Sequence, residues 1–211
     1  MDREEIQSMR RSYSERELAL PNNPIEAFKG WLREAAELPS IIEANAMVLS
    51  TLGADEALQS RSVLLKDVTD SGFTFFTNYN SRKAKAIAKN PKVALLFPWY
   101  PMERQVSITG IAVKVSEKES ADYFATRPRE SQLGAWASAQ SDPLDSRKTL
   151  EERFQELEKK YPNEVPKPPH WGGFLIRPIS FEFWQGRYSR LHDRFLYTKN
   201  NSNWEITRLN P

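Results

Sequence analysis

The chain has 211 residues, which suits one large domain with a full core better than two small ones. Thirty Lys and Arg against 28 Asp and Glu leave a formal charge of +2, too little for bulk attraction to nucleic acid or a membrane surface. With no Cys and two His, disulfides and thiolate chemistry are excluded, and no metal centre is expected.

The opening "MDREEIQSMRRSY" is charged and lacks the apolar core of a secretory signal, and no apolar run is long enough to span a bilayer. A soluble cytoplasmic protein is therefore expected, with residues 1–20 a flexible polar segment and 21–211 the folded domain. "NNPIEAFKGWLREAAEL" predicts the first helix. Asn23 is its cap, Pro24 its first residue, Glu26 completes a capping-box pattern, and Ile25, Phe28, Trp31, Leu32 and Ala35 form its apolar stripe. Strands follow in "AMVLSTL", "SRSVLLKDV", "FTFFTN", "KVALLFPWY" and "RQVSITGIAVKVS", each rich in β-branched or aromatic residues, with "DSGF" (70–73) a tight turn. Between them "NSRKAKAIAKNP" predicts a helix capped by Asn80 or Ser81 and closed by Pro91. Further helices are expected in "SEKESADYFATR", capped by Ser116 with Glu119, at about 131–139, and in "SRKTLEERFQELEKKY". "YPNEVPKPPH" is a proline-rich loop. Three strands end the chain: "WGGFLIRPISFEFWQG", with Pro178 a candidate break, "RFLYTKN" and "WEITRL". Many strands with helices inserted late suggest a mainly β, α+β domain built on an antiparallel barrel; βαβ alternation and a Gly-rich phosphate loop are both missing.

The positive charge is clustered. Arg82, Lys83 and Lys85 occupy the first turn of their helix, where the macrodipole already disfavours cations. A bound phosphate would resolve that conflict; a solvated basic helix is the alternative. Arg61 and Lys66 bracket "RSVLLK", on opposite faces if the strand alternates strictly. Tyr123 and Arg127 are four apart, with Ser131 just beyond; these too suit a phosphate or, more plainly, a helix end. In "FWQGRYSRLHDRF", an extended chain would place Arg190, His192 and Arg194 on one face, cations that need an anion over them. "MRRSY" adds Arg10 and Tyr13, and the "ERQVSI" and "SAQSD" stretches add amides. No nucleophile, metal cluster or acid–base carboxylate pair is evident, and chemistry without those groups usually belongs to a cofactor.

Taken together, "RSVLLK", "FFTNYNSRKA", "LLFPWYPMERQVSITG", "YFATRPRESQLGAWAS", "HWGGF", "FWQGR", "RLHDRF" and the terminal "RLNP" closely resemble the pyridoxamine (pyridoxine) 5′-phosphate oxidase family, in order, from about residue 9 to 211. The resemblance implies a split β-barrel homodimer with FMN at the subunit interface. It implies oxidation of pyridoxamine or pyridoxine 5′-phosphate at C4′ to pyridoxal 5′-phosphate, with O2 reduced to H2O2, and no nucleic-acid or membrane partner. Carried over by position, it assigns FMN to Arg61, Ser62, Val63, Leu64, Leu65, Lys66, Phe76, Thr77, Arg82, Lys83, Gln105, Gln140, Ser141, Trp184 and Arg194. It assigns the substrate phosphate to Lys66, Tyr123, Arg127 and Ser131, the substrate ring to Arg190 and His192 as the catalytic pair, and a cover to Arg10 through Tyr13. Phe76 departs from the Tyr often found there, and "SERELALPNNP" lacks the Gly-Gly-Leu often found after the cover. Another split-barrel flavoprotein of flavin-reductase type would lack the "RPRES" and "RLH" set; a non-catalytic pyridoxal phosphate carrier is the other alternative.

Overall fold

The computed structural model describes residues 2–9, 12–14, 18–53, 56–201 and 203–211. Nine strands and six α-helices are described. In chain order they are α1 (Arg3–Ser8), α2 (Pro24–Glu37), β1 (Ala46–Leu52), β2 (Leu58–Leu64), β3 (Asp67–Thr69), β4 (Gly72–Asn78), α3 (Arg82–Lys89), β5 (Lys92–Trp99) and β6 (Arg104–Lys114). There follow α4 (Glu117–Thr126), α5 (Arg129–Ala137), α6 (Arg147–Lys160), β7 (Trp171–Gln185), β8 (Asp193–Asn200) and β9 (Asn203–Leu209). The strand order is β2-β1-β5-β6-β7-β4-β3, with β8 pairing β7 and β9. The chain divides into two compact units, one of residues 1–47, 95–109 and 179–211, the other of 48–94 and 110–178.

In the first unit α2 forms as its sequence dictates. The Asn23 carboxamide accepts from the Ile25 and Glu26 amides, and Pro24 takes the first turn, where no N–H is needed. Its buried stripe meets the aromatic faces of β5 and β7: Phe28 lies 4.7 Å from Phe97, and Trp31 lies edge-on to Phe183 at 5.2 Å. The polar tips of the buried rings are satisfied, Trp99 Nε1 donating to the Ala44 carbonyl and Tyr197 Oη to that of Pro21. The short α1 is a departure from the polar, unstructured stretch expected; Asp2 and Glu5 form a reciprocal capping box there.

In the second unit β4 is buried along nearly its whole length and pairs with Trp171–Ile176 of β7. The expected turn at 70–73 is a two-residue hairpin joining β3 to β4, with Thr69 opposite Gly72. Gly72 has φ +140°, and a Cβ there would lie 2.0 Å from the Ile176 carbonyl oxygen. Gly72→Ala is therefore expected to destabilise the protein by about 1–3 kcal/mol through backbone strain and this clash. A urea midpoint equal to that of the wild type would refute it. Helices α4 and α5 close a second cluster around Phe124, Leu133, Val165 and Trp171, against which Phe154 and Leu157 of α6 pack.

Two strand expectations change. β7 runs unbroken through Pro178, because pairing with β4 ends at Ile176 and pairing with β8 begins at Ser180. A residue without an N–H thus sits where neither of these partners needs one. The single strand expected for 60–68 is interrupted: β2 ends at Leu64 and β3 starts at Asp67.

Candidate active site

That interruption places the basic residues of "RSVLLK". Burial alternates along β2 from Leu58 as far as Val63, Leu65 turns into the core, and the Lys66 amide donates to the Thr74 carbonyl at 2.8 Å. Lys66 thus lies beyond the end of β2, and it and Arg61 line different cavities of the second unit.

The first cavity, about 500 Å³, is lined by Arg61, Arg82, Lys83, Gln140 and Ser141, with Gln59 and Ser60. None of its lining residues is acidic. Arg61 is fixed from behind, its guanidinium donating to the Leu49 carbonyl (3.0 Å) and Thr51 Oγ1 (2.8 Å). Lys83 Nζ donates to Thr77 Oγ1 at 3.2 Å and Gln140 Oε1 at 3.1 Å. Ser81 is the N-cap of α3 but makes no side-chain capping bond, and its buried Oγ has no partner among the described residues. The Arg82 amide donates instead to Ser141 Oγ, 3.2 Å away. Burial, and then the neighbouring cation, lower the pKa of both Arg61 (beside Arg82) and Lys83 (beside Arg61). This is a cationic cup at a helix start, with no carboxylate to discharge it.

The second cavity, about 620 Å³, shares Lys83 and Gln140 with the first and adds Ser62, Val63, Leu64, Lys66, Phe76, Thr77, Tyr123, Arg127 and Ser131. Arg127 ends α4 with an extended backbone, so it does not share a helix face with Tyr123 as the spacing suggested; both still line this cavity. Its guanidinium lies 4.8 Å over the Trp171 ring, and its buried Nη1 has no partner among the described residues. Burial lowers its pKa. Ser131 stands in the first turn of α5. Phe76 stacks on Tyr123 at 4.1 Å and on Trp171 at 5.4 Å, so the ring without a hydroxyl serves as an apolar wall.

The remaining candidates lie in the first unit. Trp184 of β7 is directly opposite Arg194 of β8. Arg194 is held by Glu182, which accepts from Nε at 2.8 Å, and by the Asn210 carbonyl at 3.0 Å. Gln105 is half-buried on β6. The shared strand face expected for Arg190, His192 and Arg194 is not found. Tyr188–Arg190 is a 3₁₀ turn, Ser189 and Arg190 have positive φ (54° and 63°), and only Arg194 lies in a strand. The extended reading failed because "GRYS" turns the chain before β8 begins.

His192 and Arg190 instead line a cavity of about 520 Å³ together with Ser12, Tyr13 and Arg187. The His192 ring packs 4.6 Å from Trp184 and 5.5 Å from Tyr13. Its Nδ1 accepts from the Arg187 amide at 3.1 Å, which leaves Nε2 to carry the proton of the neutral ring. Arg187 is braced by buried Asp193, which also pairs with Arg208. Burial, and secondarily Arg190, lower the His192 pKa. Its proton NMR titration midpoint should accordingly fall below the ordinary histidine value. Since the unfolded chain takes up that proton at higher pH, stability gains from this group as pH rises through the window between the lowered value and the ordinary one, and is unaffected above it. A midpoint at or above the ordinary value would contradict this. Arg10 lies outside the described residues.

Sequence reasoning passed over Glu103, Glu182, Gly186, Arg187 and Asp193, which hold the candidate residues from behind. Only the clustering of acids within "FEFWQGRYSRLHDRF" hinted at two of them.

The mainly β architecture with added helices is that of the split β-barrel proteins. A solved structure of PhzG from Burkholderia lata 383, in complex with tetrahydrophenazine-1-carboxylic acid, superposes with a TM-score of 0.86 at 30% identity, covering 90% of this chain and 94% of that one. A pyridoxamine 5′-phosphate oxidase-related, FMN-binding protein from Nostoc punctiforme PCC 73102 shares the fold, with a TM-score of 0.73 at 16% identity over 93% of this chain and all (100%) of that one.

Residues 33–161 match the family described as pyridoxamine 5′-phosphate oxidase, and residues 171–211 match the pyridoxine 5′-phosphate oxidase C-terminal dimerisation region. A curated pyridoxine/pyridoxamine 5′-phosphate oxidase from Nostoc punctiforme is 53% identical, covering 92% of each chain. One from Christiangramia forsetii is 49% identical over 98% of this chain and 99% of its own. The chain belongs to the pyridoxamine 5′-phosphate oxidase family, a family of enzymes. Among the described residues, no helix is long and apolar enough to cross a membrane.

Proposed function

We propose that this protein is an FMN-dependent oxidase acting on pyridoxamine 5′-phosphate or pyridoxine 5′-phosphate, giving pyridoxal 5′-phosphate, with O2 reduced to H2O2. The observation that carries this reading is a pair of anion-seeking cavities that share a wall. One holds Arg61, Arg82 and Lys83 with no carboxylate among its described lining residues; the other holds the buried Nη1 of Arg127, which has no partner among the described residues. Two phosphate sites joined through Lys83 and Gln140 fit a phosphorylated cofactor beside a phosphorylated substrate.

The residues fit FMN. Its phosphate would take Arg61, Arg82, Lys83 and the start of α3, while Thr77, Gln140 and Ser141 offer donors and acceptors to the rest. Bound there, FMN supplies the two-electron acceptor that O2 reoxidises. Arg127, Tyr123, Ser131 and Lys66 would hold the substrate phosphate, so that binding energy at a remote group orients the reacting carbon. Phe76, Tyr123 and Trp171 provide a flat apolar wall beside it. Arg190 and His192 would engage the ring, His192 as an Nε2–H donor. Gln105, Trp184 and Arg194 would complete the flavin set, and Tyr13 would belong to a cover. The match of 171–211 to a dimerisation region supports a homodimer, and the flavin would lie at its subunit interface. A cytoplasmic location accords with this chemistry.

The test is aerobic turnover of pyridoxamine 5′-phosphate by the yellow, FMN-bearing protein, following aldehyde and H2O2 together. Equal yields of the two, with loss of turnover when the substrate lacks its phosphate, are expected. A colourless protein that FMN cannot reconstitute would remove the proposal, and equal turnover of phosphorylated and unphosphorylated amines would remove the phosphate-site reading.

A further inference from the structure

The resemblance assigns no role to Glu103, yet it joins the 12–14 segment to the end of β7. Glu103 follows a 3₁₀ turn at Tyr100–Met102 and has φ +58°. Its backbone carbonyl accepts from the Gly186 amide at 2.7 Å, which ties it to the end of β7. Its carboxylate Oε2 accepts twice from Ser14, from the amide at 2.8 Å and from Oγ at 2.6 Å. These are charge-assisted bonds to a segment 89 residues away in sequence. The neighbouring Tyr13 ring is seated on Gly186, where a Cβ would come within 2.8 Å of Tyr13 Cγ. From that seat its ring meets Trp184 at 5.8 Å and His192 at 5.5 Å, both edge-on.

We propose that Glu103 is a positioning residue: its carboxylate latches Ser14 and thereby sets Tyr13 against His192 and Trp184, with Gly186 as the seat. The proposal rests on the reading of the His192 cavity as the substrate-ring site, and it adds the residue that fastens the segment over that cavity. An undocked segment would leave the cavity without its Tyr13 wall, so the loss falls on substrate capture. FMN retention should suffer much less, because none of the Arg61, Arg82 and Lys83 contacts involves Glu103.

Glu103→Ala, Glu103→Gln, Ser14→Ala and Gly186→Ala holoenzymes would be compared with the wild type by amide hydrogen exchange of peptides covering 12–14 and by steady-state kinetics with pyridoxamine 5′-phosphate. Glu103→Ala should speed exchange at Ser14 and raise KM roughly tenfold, with kcat and FMN content altered much less. Glu103→Gln keeps an acceptor oxygen and should recover most of the loss, which a merely structural role for the charge would not produce. Ser14→Ala should show a smaller effect in the same direction. Gly186→Ala should raise KM by displacing Tyr13 while leaving the carboxylate intact. If Glu103→Ala misfolds, Ser14→Ala and Gly186→Ala carry the same comparison from the other side of the contact. Unchanged Ser14 exchange in Glu103→Ala would overturn the latch, and faster exchange with an unchanged KM would overturn its positioning role. If the wild type does not oxidise the substrate, the proposed function fails, while the exchange data still decide the latch.

Discussion

Arg127→Ala is expected to raise KM for pyridoxamine 5′-phosphate by about ten- to a hundredfold, the loss of one charge-assisted bond. FMN content should change far less, because Arg127 does not line the cavity of Arg61, Arg82 and Ser141. The guanidinium is half-buried, lies over Trp171 and has no partner for Nη1 among the described residues, so without a ligand it carries a desolvation cost with incomplete compensation. The same variant should therefore lose little thermal stability, or gain some, while it loses substrate affinity. That is the pattern of a residue retained for binding. Arg127→Lys should recover only part of the affinity, since a point charge replaces the planar fork. Steady-state kinetics and thermal melts on the same preparations decide the matter. An unchanged KM would return Arg127 to an ordinary helix end.

Replacing Arg82 and Lys83 together by neutral residues should weaken FMN binding by about a hundred- to ten-thousandfold, two charge-assisted contacts being lost. Titration of the flavin-free protein, followed by the quenching of FMN fluorescence, measures this directly; retention of bound flavin through gel filtration would contradict it. The same cup gives a signature without FMN. Burial and Arg61 lower the Lys83 pKa, so the unfolded chain holds that proton to higher pH than the folded one does. Lys83 therefore costs stability below its lowered folded value, and the cost disappears as pH rises through the window up to the ordinary lysine value. The melting temperature of flavin-free wild type relative to Lys83→Met should rise across that alkaline window. Parallel pH profiles for the two proteins would show that the clustered charges do not strain the folded state.

Local chemistry made most elements legible in the sequence. Asn23-Pro24 and Ser116 each satisfy free helix-start amides within a few residues, and the structure uses both, although neither Glu26 nor Glu119 completes the reciprocal half of a capping box. The misplacement of Arg82 and Lys83 at a helix start was equally local, because the macrodipole penalty is read from adjacent residues. The family likeness supplied the grouping of distant segments, and the cavities bring together in the second unit most of the residues it named there. What the sequence did not contain was the path of the chain where periodicity stops. The strand through "RSVLLK" stops at Leu64, short of Lys66, and Arg190 leaves the face of Arg194 because a 3₁₀ turn with two positive φ angles precedes β8. A continuous strand through either stretch would satisfy the same pattern, so only tertiary pairing could choose between them. The carboxylates that orient the site, Glu103 on Ser14, Glu182 on Arg194 and Asp193 on Arg187, were likewise invisible as partners. A charge declares its sign in the sequence, but which opposite charge or donor it meets is set by packing among strands far apart along the chain.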